Sequence, residues 1–246
     1  MKKEVYFLVF EPLKYNWKIA PVQVMIQIRT WGKATHVGMI WNEKQFQKFI
    51  TKMSEVKVMD RANVINSFES AGLVVSATFP KVTIENIFTD YVNYRIYVKG
   101  IEVSEYQYSK IHRLWEERIG KQKYSLLGLV WFVTAPFIDW IKKTKDVDPD
   151  GGFCSEVATN ILYQSGVKVF SFLGNKFEDD LLLARSMSLE DYVNSGLGTE
   201  RFWHYANNTK KFNFGYKVSP KMFKLSPIFS SVGILDIRKD KIYYHE

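Results

Sequence analysis

Cysteine is nearly absent from this chain: in 246 residues there is one, Cys154, and only four histidines accompany it. A single thiol excludes an internal disulfide and any site held by several cysteines, and it fits a reducing compartment. The acidic turn Asp146-Val147-Asp148-Pro149-Asp150 does not continue at calcium-loop spacing past Gly152, so no metal site is expected and no cofactor is called for. A long apolar run is missing as well. The longest, Leu126 to Ile141, is interrupted by Pro136 and Asp139 and is shorter than a bilayer span, which reads as a core helix broken at the proline rather than a transmembrane segment. At the N-terminus the apolar run from Val5 to Phe10 stops at Glu11 with no small-residue cleavage site after it. It reads as a first core strand and not as a signal peptide, so the expected location is the cytoplasm, or wherever another system delivers the protein.

What is present is ample material for a core, 46% apolar and 16% aromatic residues, which argues against disorder. Charge is uneven. Residues 201–246 hold nine Lys/Arg against three Asp/Glu, or +6, leaving +2 of the total +8 for residues 1–200. That basic segment also carries Phe202, Trp203, Tyr205, Phe212, Phe214, Tyr216 and Phe223. It reads first as the solvated face of a small β-rich extension, with an anionic membrane, wall polymer or nucleic acid as the partner it would otherwise suit.

The chemistry-bearing stretch is Asp150-Gly151-Gly152-Phe153-Cys154-Ser155-Glu156-Val157, in which a glycine turn delivers the thiol onto the first turn of a helix. Val157, Ala158, Ile161 and Leu162 follow at helical spacing and Gly166 ends the run, so Cys154 faces the edge of the core at a helix N-terminus, where negative charge is favoured and the thiol pKa is expected to fall. A base is available in Ala34-Thr35-His36-Val37-Gly38-Met39-Ile40-Trp41, a strand with His36, Gly38 and Ile40 on one face and room beside Gly38 for a backbone or a substrate. Asn63 to Glu69 reads as a second strand ending in a carboxylate, beside the first. Nucleophile, base and orienter are thereby all present.

His-x-Gly on a strand, then Glu69-Ser70-Ala71-Gly72-Leu73-Val74, then Phe153-Cys154-Ser155-Glu156 opening a helix resembles the circularly permuted branch of the NlpC/P60 papain-like superfamily, the YiiX-like branch, in which histidine precedes cysteine. The resemblance covers roughly residues 34–166. It implies an α+β permuted papain-like fold, an antiparallel sheet packed against helices, with the nucleophile at a helix N-terminus. It implies Cys154 as nucleophile, His36 as general base, Glu69 as the residue that orients His36, and Tyr124 of Gly120-Lys121-Gln122-Lys123-Tyr124 as a substrate contact, although an aromatic packed at a helix start reads equally well. The implied reaction is cysteine hydrolysis of an amide, ester or thioester through a thioester intermediate. Acyl transfer or lipid handling on the same triad, or a catalytically silent binding or virion component, are the alternatives. Residues 1–200 would form the catalytic domain and 201–246 a C-terminal elaboration packed on it.

The remaining elements follow from periodicity and capping chemistry. Glu4 to Phe10, Val56 to Met59, Leu73 to Phe79 and Tyr91 to Val98 read as strands with turns short enough for antiparallel pairing. Pro12 to Trp31 fits either strand or helix. Glu43 to Thr51 reads as a short helix, and Ser104 caps a helix to Ile119 on which His112 is structural. Val167 to Phe172 reads as a strand, Ser188 caps a short helix ending near Gly196, and Gly233 to Ile237 pairs with Lys241 to Tyr244 as a hairpin.

Overall fold

The computed structural model describes residues 2–14, 24, 26–27, 32–124, 151–170, 176–208 and 218–246. The readings made for the Leu126 to Ile141 run, for the acidic turn before Gly151, for most of Pro12 to Trp31 and for Phe212, Phe214 and Tyr216 lie outside them.

Strand β1 (Lys2–Pro12) is the middle of the molecule, and its sequence says why: Val5 to Phe10 is an unbroken apolar run, as a strand covered on both faces requires. It pairs antiparallel with β2 (His36–Ile40) on one side and with β6 (Tyr94–Ser104) on the other. Beyond β2 lie β4 (Leu73–Ala77) and β5 (Val82–Asn86); beyond β6 lie β9 (Ser230–Ile237), β10 (Lys241–His245) and β3 (Val58–Asp60). The result is an eight-stranded sheet in the order β3-β10-β9-β6-β1-β2-β4-β5, antiparallel throughout. The architecture is α+β, an antiparallel sheet packed against helices.

The two faces of β1 divide the core. Val5, Phe7 and Val9, with Val37, Met39 and Val75, pack against α4 (Glu105–Glu116), α5 (Cys154–Gln164) and α9 (Pro220–Leu225). Tyr6, Leu8 and Phe10, with Ile40 and Val74, pack against α1 (Glu43–Val56), α2 (Arg61–Phe68) and α3 (Ile87–Asp90). Each fully buried Phe or Leu contributes roughly 1.5–3 kcal/mol, so β1 alone anchors both layers. Helices α6 (Lys176–Ser186), α7 (Leu189–Asn194) and α8 (Glu200–Asn208) form a small third core from Leu181, Ala184, Tyr192 and Ala206.

Local chemistry explains the helices. Asn42 caps α1 by accepting from Gln45 N at 3.3 Å, and Phe46, Phe49 and Met53 form its buried stripe. Ser104 and Gln107 close a reciprocal capping box on α4, which ends at Glu116, three residues before the expected Ile119. Helix α5 is buried almost all round, Ser155, Glu156 and Thr159 included. It ends where Gly166 takes φ +76°, and a Cβ there would meet Ser186 N at 2.4 Å.

Several readings are corrected. Asn63 to Glu69 is not a strand: Asp60 accepts from Ala62 N and Asn63 N and starts α2, and Glu69 opens a 3-10 turn, Glu69–Gly72. The stretch expected as a strand from Val56 is the end of α1, and the strand begins at Val58. Residues 167–170 are irregular. The C-terminal elaboration packs into the sheet itself, where β9 lies between β6 and β10 and Asp236 is bonded to Arg95 of β6 by two contacts at 2.7 and 2.9 Å.

Candidate functional site

The ladder between β2 and β4 is short. Only Met39↔Val75 and Ile40↔Val74 are paired; before them β2 follows β1, and after them β4 follows β5. A fork opens at His36–Val37. Helix α5 brings Cys154 to this fork on the first core face, among Val37, Met39, Val75 and Ala77. The backbone N–H groups of Val37, Ser155 and Cys154 itself are directed at the sulfur and favour its ionised form. Val37 N–H is a donor that a longer ladder would have consumed.

Burial outweighs these donors. Cys154 is 3% exposed, and the cost of desolvating a thiolate pushes its pKa up to about 11, against the lowering expected from the helix N-terminus. Its polar neighbours have structural employment. Ser155 Oγ donates to Val218 O at 2.7 Å, and Glu156 turns back to accept from Phe153 N at 3.4 Å. Tyr124 is brought alongside: β7 (Lys123–Tyr124) pairs in parallel with β8 (Gly151–Gly152), two residues before the cysteine. Desolvation, then the neighbouring Cys154, raises the pKa of the Tyr124 phenol.

His36 stands at the same fork but faces the other way. It shares a face with Gly38 and Ile40, the second core, and its ring lies 5.9 Å from Tyr91, stacked at 14°, and 5.3 Å from Phe10. Its Nε2 is closed off from solvent and has no hydrogen-bond partner among the described residues, and desolvation lowers its pKa to about 4. No hydrogen bond joins it to Cys154, whose side chain belongs to the opposite core. The space beside Gly38 is filled by the sheet itself: a Cβ there would meet Val74 Cγ2 at 2.6 Å and Val75 O at 3.2 Å.

Glu69 does not orient His36. It is exposed on the 3-10 turn, and its carbonyl accepts from Asn86 Nδ2 at 3.0 Å. The carboxylate linked to the imidazole is Glu85, through Tyr91. Tyr91 Oη donates to Glu85 Oε2 at 2.6 Å and Ser76 Oγ to the same oxygen at 3.2 Å, while desolvation raises the Glu85 pKa. This group was legible only in part. The alternation Thr83, Glu85 marks one face of β5, but nothing in the sequence sets that face against Ser76. His112 is structural, its Nε2 2.8 Å from Glu43 Oε1.

Among the described residues no three His, Cys, Asp or Glu side chains are grouped so that they could hold a metal ion, and no helix is long and apolar enough to cross a membrane. Comparison with known protein families, curated proteins and solved structures found no match to this chain.

Proposed function

We propose that the chain is a cysteine hydrolase of permuted papain-like type, with Cys154 as nucleophile and His36 as base, acting on an amide, ester or thioester. One observation carries this: the only thiol of the chain stands on the first turn of a buried helix at a fork in the sheet, with the backbone N–H groups of Val37, Cys154 and Ser155 directed at it. Such donors suit both a thiolate and the oxyanion that forms when it attacks.

The conformation described is the resting one in this reading. In the described conformation the sulfur lies on the face of β2 opposite to His36, so this reading requires a backbone rearrangement at His36–Val37 that carries the imidazole to the sulfur. It then takes the thiol proton; the sulfur attacks the carbonyl carbon, and the oxyanion meets the N–H groups of the first turn. Collapse expels the amine, alcohol or thiol with the proton from the imidazolium, and water, deprotonated by His36, releases the acid and restores the thiol. An amine or alcohol in place of water makes the same steps an acyl transfer. Glu69, on its exposed turn, has no part; Tyr91 and Glu85 govern where the ring rests.

A second reading, a binding protein without turnover on the same fold, is favoured by one fact: thiol and imidazole lie in different cores, with pKa values near 11 and 4. The two are separated by the pH dependence of Cys154 alkylation with iodoacetamide, which cannot be misassigned in a chain with one cysteine. An apparent pKa below the free value of about 8.5, rising in His36→Ala, supports the hydrolase. A value near 11 that is indifferent to His36 overturns it in favour of the binding reading.

A further inference from the structure

The tip of the β4–β5 hairpin carries Phe79, 68% exposed, the most exposed large apolar side chain among the described residues. Lys81, Lys121 and Lys123, all exposed, surround its base. Their grouping is built in by the backbone: Lys81 bridges Lys123, Tyr124 N donates to Pro80 O at 2.9 Å, Val82 N to Gln122 O at 3.0 Å, and Gly120 N to Val82 O at 2.9 Å. Thr78 and Thr83 hydroxyls, 2.8 Å apart, close the hairpin beneath the tip.

Among the described residues, the nearby charges are engaged elsewhere or lie apart. Arg118 turns inward, to Leu114 O at 2.6 Å and Gln164 Oε1 at 3.0 Å, and Glu117 faces Arg113 at 3.8 Å. Glu116 is exposed at the end of α4. No ion pair joins Lys81, Lys121 or Lys123 to another described residue.

We propose that this tip is the docking point for an anionic lipid surface, with Phe79 entering the headgroup boundary and Lys81, Lys121 and Lys123 lying against the negative headgroups. The single exposed aromatic selects this partner. A single-stranded nucleic acid is held by several aromatic faces along a basic groove, whereas one exposed ring at a hairpin turn with lysines close by in the backbone pairing suits interfacial insertion. The strap behind the tip ends at Tyr124, beside Cys154, so a docked membrane lies next to the fork. The inference stands independently of what the thiol does.

The test is co-sedimentation of the full chain with vesicles of phosphatidylcholine alone and of phosphatidylcholine enriched in phosphatidylserine. Binding is expected only to the second, falling with added salt. Each of Lys81→Gln, Lys121→Gln and Lys123→Gln should weaken partition about fivefold. Phe79→Ser should weaken it without changing the salt dependence, while Lys48→Gln and Lys52→Gln on α1 leave it unchanged. Equal far-ultraviolet spectra and melting points confirm that the variants fold. Absence of binding, or binding that ignores the tip variants and follows total charge, overturns the proposal. So does competition by a soluble polyanion with no vesicle binding. None of these outcomes reads thiol reactivity, so failure here leaves the hydrolase reading intact.

Discussion

At the scale of single residues, the pair that matters is divided by the pleat. A strand's period of two puts His36 with Gly38 and Ile40, and that much is legible in the sequence. Which face meets the cysteine helix is a long-range fact, and Val37 and Met39, the bulky apolar residues of the other parity, take it. The outcome for His36 is measurable. Its ring should titrate near 4 by NMR, where a solvated imidazole titrates at about 6.5; titration near 6.5 would overturn the stack on Tyr91. The unfolded chain binds this proton at the higher pH, so the folded state loses stability as pH falls from about 6.5 through 4. Replacing His36 with Phe should flatten that part of the pH dependence of the urea midpoint. Gly38 shows the same pleat from the other side. Because Val74 and Val75 occupy the space where a Cβ would lie, Gly38→Ala should destabilise by about 1–3 kcal/mol, and an unchanged urea midpoint would refute the close packing at the fork.

At the scale of elements, capping chemistry is the most legible signal. Ser104 with Gln107, Asn42, and Ser188 announce helices that the structure contains. Asp60 makes the same announcement ahead of Asn63 to Glu69, a stretch whose β-branched Val64 and Ile65 read as strand when the cap is passed over. Val64 and Phe68, four residues apart, turn to the core beside α1 instead, and Glu69 is thereby carried away from His36. Asp60→Ala should cost about 1 kcal/mol through the loss of its bonds to Ala62 N and Asn63 N. A loss of the same size in Asp60→Asn would argue that the carboxylate charge, and not the cap, is what counts. The resting place of His36 was illegible for a related reason. It depends on Tyr91, Glu85 and Ser76, which meet only because β4, β5 and the turn into β6 are folded together.

At the scale of the whole molecule, sequence order conceals how the sheet is closed. The hairpin near the C-terminus was legible from its own alternation, yet its place beside β6, two strands from β2, is set by pairing across more than a hundred residues. The helices before it are attached differently. Helices α6 to α8 meet α4 at Lys110, which is buried and donates to Arg185 O at 3.3 Å and to Asn207 Oδ1. Tyr106 lies 5.5 Å from the ammonium, and the other charges acting on it are Arg185 and Arg113. Desolvation first, then these two cations, lowers the Lys110 pKa to about 7. The sign of the consequence is opposite to that of a salt-bridged lysine. The unfolded chain keeps this proton up to about pH 10.4 and the folded chain only to about 7, so the unfolded state binds more protons in between and stability rises with pH across that window. Below pH 7 both states carry the charge and the penalty is constant. Buried tyrosines with raised pKa values, Tyr91 and Tyr124 among them, act in the reverse sense as the unfolded chain ionises near pH 10, which confines the rise to about pH 7–9.5. Lys110→Met should abolish it and should be more stable than the parent at pH 7 by more than at pH 9.5. An equal difference at both pH values would place a solvated ammonium at the junction and would make the joint between α4 and the C-terminal helices an open one.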